Sequence, residues 1–76
     1  MRREIIGYGS DDEEAFAAEV ELDAGRIGQL RSLLEAGDDT DLVNVYQLEG
    51  ESLRLVGDWL ETNLNPGLDY FLESSV

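Results

Sequence analysis

The chain has no histidine, no cysteine and no lysine, and only one proline, one methionine and one tryptophan in 76 residues. Without cysteine, neither a disulfide nor a thiolate-bound metal can supplement the core. Without histidine, the usual general base near neutral pH is missing, and so is the commonest transition-metal ligand. Arg2, Arg3, Arg26, Arg31 and Arg54 are the only basic side chains. Nucleophilic catalysis would therefore fall to a Ser or Thr activated by a carboxylate, and none stands in a recognisable motif. Paired carboxylates can hydrolyse glycosides, but they need a cleft and substrate-binding aromatics that a two-layer domain of this size rarely forms. No enzyme activity and no cofactor are expected. Long apolar runs are missing too. No stretch approaches the roughly 20 residues of a membrane span, and no apolar run of signal-peptide length follows the basic start at Arg2 and Arg3. The cytoplasm is the expected location.

What the chain has in excess is negative charge. It carries 18 Asp and Glu against its five Arg, a formal net charge of −13. Hydrophobic residues at 42% and charged residues at 30% are otherwise a globular mixture, so the charge sits on a folded body. Such a body repels nucleic-acid phosphates and anionic membranes, and attracts a basic protein partner. Neither direct nucleic-acid binding nor membrane binding is expected. The length allows one domain, residues 1–76. A core of that size leaves a net stability of a few kcal/mol.

Residues 2–8 are β-prone, and a polar turn follows at 9–14. Phe16, Ala18, Val20 and Leu22 then alternate with small or acidic residues, the period of a half-buried strand. Asp23 is a candidate N-cap for a helix over 24–36 that Gly37 would end; Ile27, Leu30 and Leu34 form its apolar face. Residues 42–48 are rich in β-branched and aromatic side chains and predict a third strand. The helical period returns over 51–64 with Leu53, Val56, Leu60 and Leu64, widened by Leu55 and Trp59, until Asn65-Pro66-Gly67 breaks it. Residues 69–73 predict a last strand, with Ser74, Ser75 and Val76 as a loose tail. The order β-β-α-β-α-β predicts an α+β two-layer sandwich, with both helices on one face of a four-stranded, mainly antiparallel sheet.

Two acidic clusters stand out, Asp11, Asp12, Glu13 and Glu14 in the first turn, and Asp38, Asp39 and Asp41 after the first helix. A calcium loop is excluded for the second. Starting at Asp38 puts Val43 where the EF-hand needs Gly, and starting at Asp39 puts Gly50 where it needs a bidentate Glu. Ser52, before Leu53 at a helix start, has the local setting of an acyl-carrier serine. Those carriers are all-helical, however, so helix initiation accounts for Ser52 better. The clusters are thus the candidate contacts to a partner, with Glu19, Glu21 and Trp59 as second candidates. Glu19 and Glu21 alternate with the apolar residues of their strand and are expected on the opposite sheet face. Acidity that serves only solubility is the competing explanation.

Val45-Tyr46-Gln47-Leu48, the amphipathic helix after it, and Asp69-Tyr70-Phe71-Leu72-Glu73 resemble a group of short uncharacterised bacterial proteins. These also begin with a strand ending in an aromatic, here Tyr8, then an acidic turn and a second strand ending at Leu22. Members tend to be encoded beside polymorphic or contact-dependent toxins. The resemblance implies an immunity protein, an inhibitor that neutralises a cationic toxin domain such as a nuclease; it assigns no site residue. Two alternatives are a nucleic-acid mimic acting on a defence protein, and a non-inhibitory adaptor that binds through Trp59 and Leu55.

Overall fold

Alternation in the first strand decides the layers. In β1 (Arg2–Tyr8), Ile5 and Gly7 are buried while their neighbours Glu4, Ile6 and Tyr8 are only half-buried, so odd-numbered residues face the core. A computed structural model describes residues 2–11 and 13–75. Met1, Asp12 (one of the candidate contacts) and Val76 of the predicted tail lie outside the described residues. The elements run β1, β2 (Glu14–Glu19), α1 (Ala24–Leu34), β3 (Tyr46–Leu48), α2 (Gly50–Leu60) and β4 (Asp69–Ser75), the predicted order. They form one antiparallel sheet in the order β2-β1-β4-β3.

The core lies on one side of this sheet. Ile5, Leu48, Tyr70 and Leu72 from the strands meet Leu30 of α1 and Val56 of α2, all 2% exposed or less. Ile27, Leu34, Leu53, Leu60 and Trp59 pack against that cluster from the helices. An antiparallel sheet covered on one face only is a stable arrangement, since the other face can carry polar side chains to water. Gly7 sits where the aromatics close over β1. A Cβ there would lie 2.7 Å from Tyr70 Cε1, and Phe16 and Tyr70, the Gly7 partners on β2 and β4, stack edge to face at 5.7 Å.

Local chemistry corrects several predicted boundaries. β2 ends at Glu19 rather than Leu22: the Val20 N–H still bonds to the Arg3 carbonyl at 2.9 Å, but Glu21 and Leu22 lie outside any strand in the segment leading to α1, so Glu21 is not on a strand face. Asp23 is the N-cap of α1, its carboxylate accepting from the Arg26 N–H at 2.8 Å. The helix closes two residues before 36, with Glu35 in the left-handed region at φ 52°, so a glutamate rather than Gly37 makes the terminal turn. The largest departure is the third strand, which keeps only Tyr46–Leu48 of the predicted 42–48. Asp39 accounts for the loss. Its carboxylate accepts from the Val43 and Asn44 N–H groups, both at 3.0 Å, so these donors are satisfied without a sheet partner. Leu42 meanwhile turns into the core, fully buried at φ 52°.

α2 begins where Ser52 predicts. Its Oγ accepts from the Glu49 N–H at 3.1 Å and donates to the Glu49 carbonyl at 2.8 Å, and the residue is only 4% exposed, buried in helix initiation. The helix stops at Leu60, four residues short of 64. Glu61 turns left-handed at φ 52°, Thr62 N–H returns to the Gly57 carbonyl at 3.2 Å, and Leu64 folds back against Gly57. Asn65-Pro66-Gly67 therefore forms a separate turn, with Asn65 Oδ1 accepting from Gly67 N–H and the Tyr70 hydroxyl accepting from Asn65 N–H, each at 2.8 Å. At the C-terminus, Ser74 and Ser75 belong to β4 rather than to a tail. They pair with Arg3 and Arg2, and Ser74 Oγ donates to the Leu42 carbonyl at 2.9 Å.

Candidate functional site

The helices leave the even face of β1 open, and the register fixes what that face displays. Glu4 stands directly between Glu19 of β2 and Glu73 of β4. Two residues along, Ile6 stands between Ala17 and Phe71, with Gln47 of β3 beyond Phe71. Two further along, Tyr8 stands between Asp69 and Glu14, the latter brought opposite it by a register shift after Gly7. The face is thus an apolar stripe of Ala17, Ile6 and Phe71 between two acidic rows. Directly paired side chains lie about 5 Å apart, and rows two residues apart are separated by about 7 Å along the strand.

Tyr8 lies across this pattern. Its ring meets Phe71 edge to face at 5.7 Å, and its hydroxyl donates to Glu73 Oε2 at 2.9 Å. That hydrogen bond, then partial burial and the charges of Glu73 and Glu14, push the Tyr8 phenol above its ordinary pKa, so it stays a neutral donor. The Glu19–Glu4–Glu73 row is costly, because like charges placed directly opposite destabilise a sheet. Arg2 partly offsets the cost, its Nε 3.6 Å from both Glu4 and Glu19. Both contacts are solvent-exposed and carry little energy. Among the described residues, no group of three or more acidic side chains is arranged to hold a metal ion.

The two acidic clusters expected from the sequence lie at opposite ends of the sheet. Asp11, Glu13 and Glu14 are exposed at the β1–β2 turn, which the Glu13 carbonyl closes by accepting from the Gly9 N–H at 2.9 Å. Asp41 lies at the start of β1, its carbonyl accepting from Arg3 Nη2 at 2.5 Å. The strand between them is about 20 Å long. Asp38 is exposed in the same loop. Asp39 is half-buried and already engaged: besides the two N–H groups it accepts from the Tyr46 hydroxyl at 2.6 Å. The Tyr46 bond first, then the two backbone donors, hold its carboxyl below the usual range, and the same bond raises the Tyr46 phenol. Asp39 therefore builds the loop.

Of the expected contacts, Glu14 and Glu19 belong to the open face, and Glu4, Tyr8, Asp69, Phe71 and Glu73 join them. Sequence clustering missed these because the carboxylates become neighbours across strands and not along the chain. The signal was present in the alternation of Glu4, Ile6 and Tyr8, and of Asp69, Phe71 and Glu73. Glu21 is exposed, its carbonyl accepting from Arg26 Nη1 at 3.1 Å. Trp59 is half-buried against the core on the other side of the sheet, under the Arg26 guanidinium at 4.8 Å. Among the described residues no helix is long and apolar enough to cross a membrane. Comparison with protein-family models, with curated proteins and with solved structures finds no match to this chain.

Proposed function

We propose that this chain is a protein-binding inhibitor of the immunity type, which neutralises a basic toxin domain such as a nuclease by occupying its cationic surface. The observation that carries the proposal is the helix-free sheet face, where Ala17, Ile6 and Phe71 run between the Glu19–Glu4–Glu73 and Glu14–Tyr8–Asp69 rows. Nuclease grooves are lined with Lys and Arg that hold phosphates. The acidic rows provide long-range attraction and correct partner choice, and the apolar stripe provides area that stays dry once contact is made. This chemistry is binding and not turnover. A nucleic-acid mimic is the less favoured reading, because duplex DNA presents no apolar ridge between its phosphate rows.

The test is to mix the protein with the product of the neighbouring reading frame and follow association. Replacing Glu4, Glu19 and Glu73 together by Gln should slow association about tenfold or more at low salt and flatten its salt dependence. Replacing Phe71 by Ser should instead speed dissociation. Tight binding that ignores both changes contradicts the assignment of this face. Binding that depends on Trp59 and Leu55 and is indifferent to salt favours the adaptor.

A further inference from the structure

We propose that the outer edge of β2 is a strand-addition site, which takes an extended basic segment of the partner as a fifth strand beside the acidic face. The inference rests on the binding reading above and adds the mode of recognition.

The main-chain geometry of β2 leads to it. Among the described residues β2 is an edge strand, paired with β1 alone. The Val20 N–H bonds to the Arg3 carbonyl at 2.9 Å, which marks that opposed pair as a hydrogen-bonded one. In an antiparallel ladder such pairs alternate, so Ile5–Ala18 and Gly7–Phe16 are hydrogen-bonded pairs as well. The residues between them, Ala17 and Glu19, consequently direct their N–H and C=O groups away from β1, toward the free edge. Edge strands are ordinarily blunted by charged side chains, Pro, a bulge or brevity. In β2 the register irregularity is confined to the Glu14 end, the stretch Phe16–Glu19 pairs regularly without Pro, and the charges are Glu14 and Glu19, which turn away an acidic strand and admit a basic one.

Size and charge specify the occupant. The flat area of the open face is roughly 300–400 Å² from strand spacing and rise, less than half of the about 800 Å² per partner in a standard interface. A strand added to β2 extends that face without a break and contributes main-chain hydrogen bonds. A partner residue opposite Glu19 meets a carboxylate, and one opposite Ala17 finds room for a large apolar side chain that continues the row of Ile6 and Phe71. The fitting segment reads basic-x-apolar on the face it shares with Glu19 and Ala17. A second copy is a poor occupant, because it would bring together two bodies of charge −13 each along an edge whose strand carries Glu14 and Glu19.

The experiment uses the whole chain and a labelled, end-blocked Arg-Thr-Val-Thr-Arg peptide. Its control has the same charge but is N-methylated at the residues that would donate to the edge. Fluorescence anisotropy should show saturable binding of the first peptide at low salt and at least tenfold weaker binding of the second. Amide exchange at Ala17 and Glu19 should slow by a similar factor when the first peptide is bound. Ala17→Pro removes an outward N–H while leaving the β1 ladder intact, and should weaken binding of the unmethylated peptide severalfold. If that variant fails to fold, the contrast between the two peptides on the natural chain still decides. Equal binding of both overturns strand addition while leaving electrostatic attraction to the acidic face standing. No binding of either, or self-association through β2, overturns the site.

Discussion

At the scale of single residues, four positions carry the packing and loop arguments. Gly7 makes space for Tyr70 and Phe16 to meet over β1. Gly7→Ala forces the Tyr70 ring to move and should cost about 1–3 kcal/mol in a denaturant melt, the usual penalty of overpacking. Tyr70→Phe removes the acceptor for Asn65 N–H and should cost about 1 kcal/mol, with faster exchange of that amide. Asp39 and Tyr46 set a pH window. Asp39 is a stronger acid folded than unfolded, so its contribution is complete above about pH 4 and fades as the pH falls through the lower folded value. Tyr46 is a weaker acid when folded, so its contribution is complete below about pH 10 and fades as the pH rises through the higher folded value. Asp39→Asn should therefore flatten the acid limb of a plot of melting temperature against pH. It should also bring the Tyr46 phenol back toward its ordinary titration, read by ultraviolet absorbance. An unchanged Tyr46 titration would contradict the pairing.

At the scale of elements, the two helices end on glutamates where glycine is the unstrained choice. Glu35 and Glu61 both hold φ 52°, and each should gain about 0.5–1 kcal/mol on replacement by Gly, measured as a higher denaturation midpoint. Neither end was legible beforehand, because Gly37 and Pro66 are the stronger signals in the sequence and the real turns are set by contacts from elsewhere. Leu64 folds onto Gly57, and the Arg31 guanidinium reaches the Gly37 carbonyl at 3.3 Å. The start signals were legible because they are local: Asp23 and Ser52 act within three residues of themselves. The same distinction explains β3. Its β-branched composition predicted a longer strand, but Asp39, a side chain several residues upstream, takes the backbone donors first. The candidate face was half legible. Which residues alternate is written in each strand, whereas the row Glu19–Glu4–Glu73 exists only once the register of three strands is known.

At the scale of the whole molecule, charge opposes stability. A body of −13 repels itself, so the melting temperature should rise as sodium chloride is added at neutral pH and the repulsion is screened. Glu4 concentrates that conflict, flanked by a glutamate on either side. Glu4→Gln should stabilise the fold by about 0.5 kcal/mol, even though it removes part of the Arg2 contact. On the proposed binding role, Glu4 would weaken the fold and strengthen binding, the pattern expected of a site held for its partner. The most direct test of that account is the association rate with the neighbouring gene's product, measured across a salt series for the natural chain and for the Glu4, Glu19 and Glu73 to Gln variant. The account predicts a steep fall with salt for the natural chain and a slower, nearly flat series for the variant; two superimposable series would contradict it.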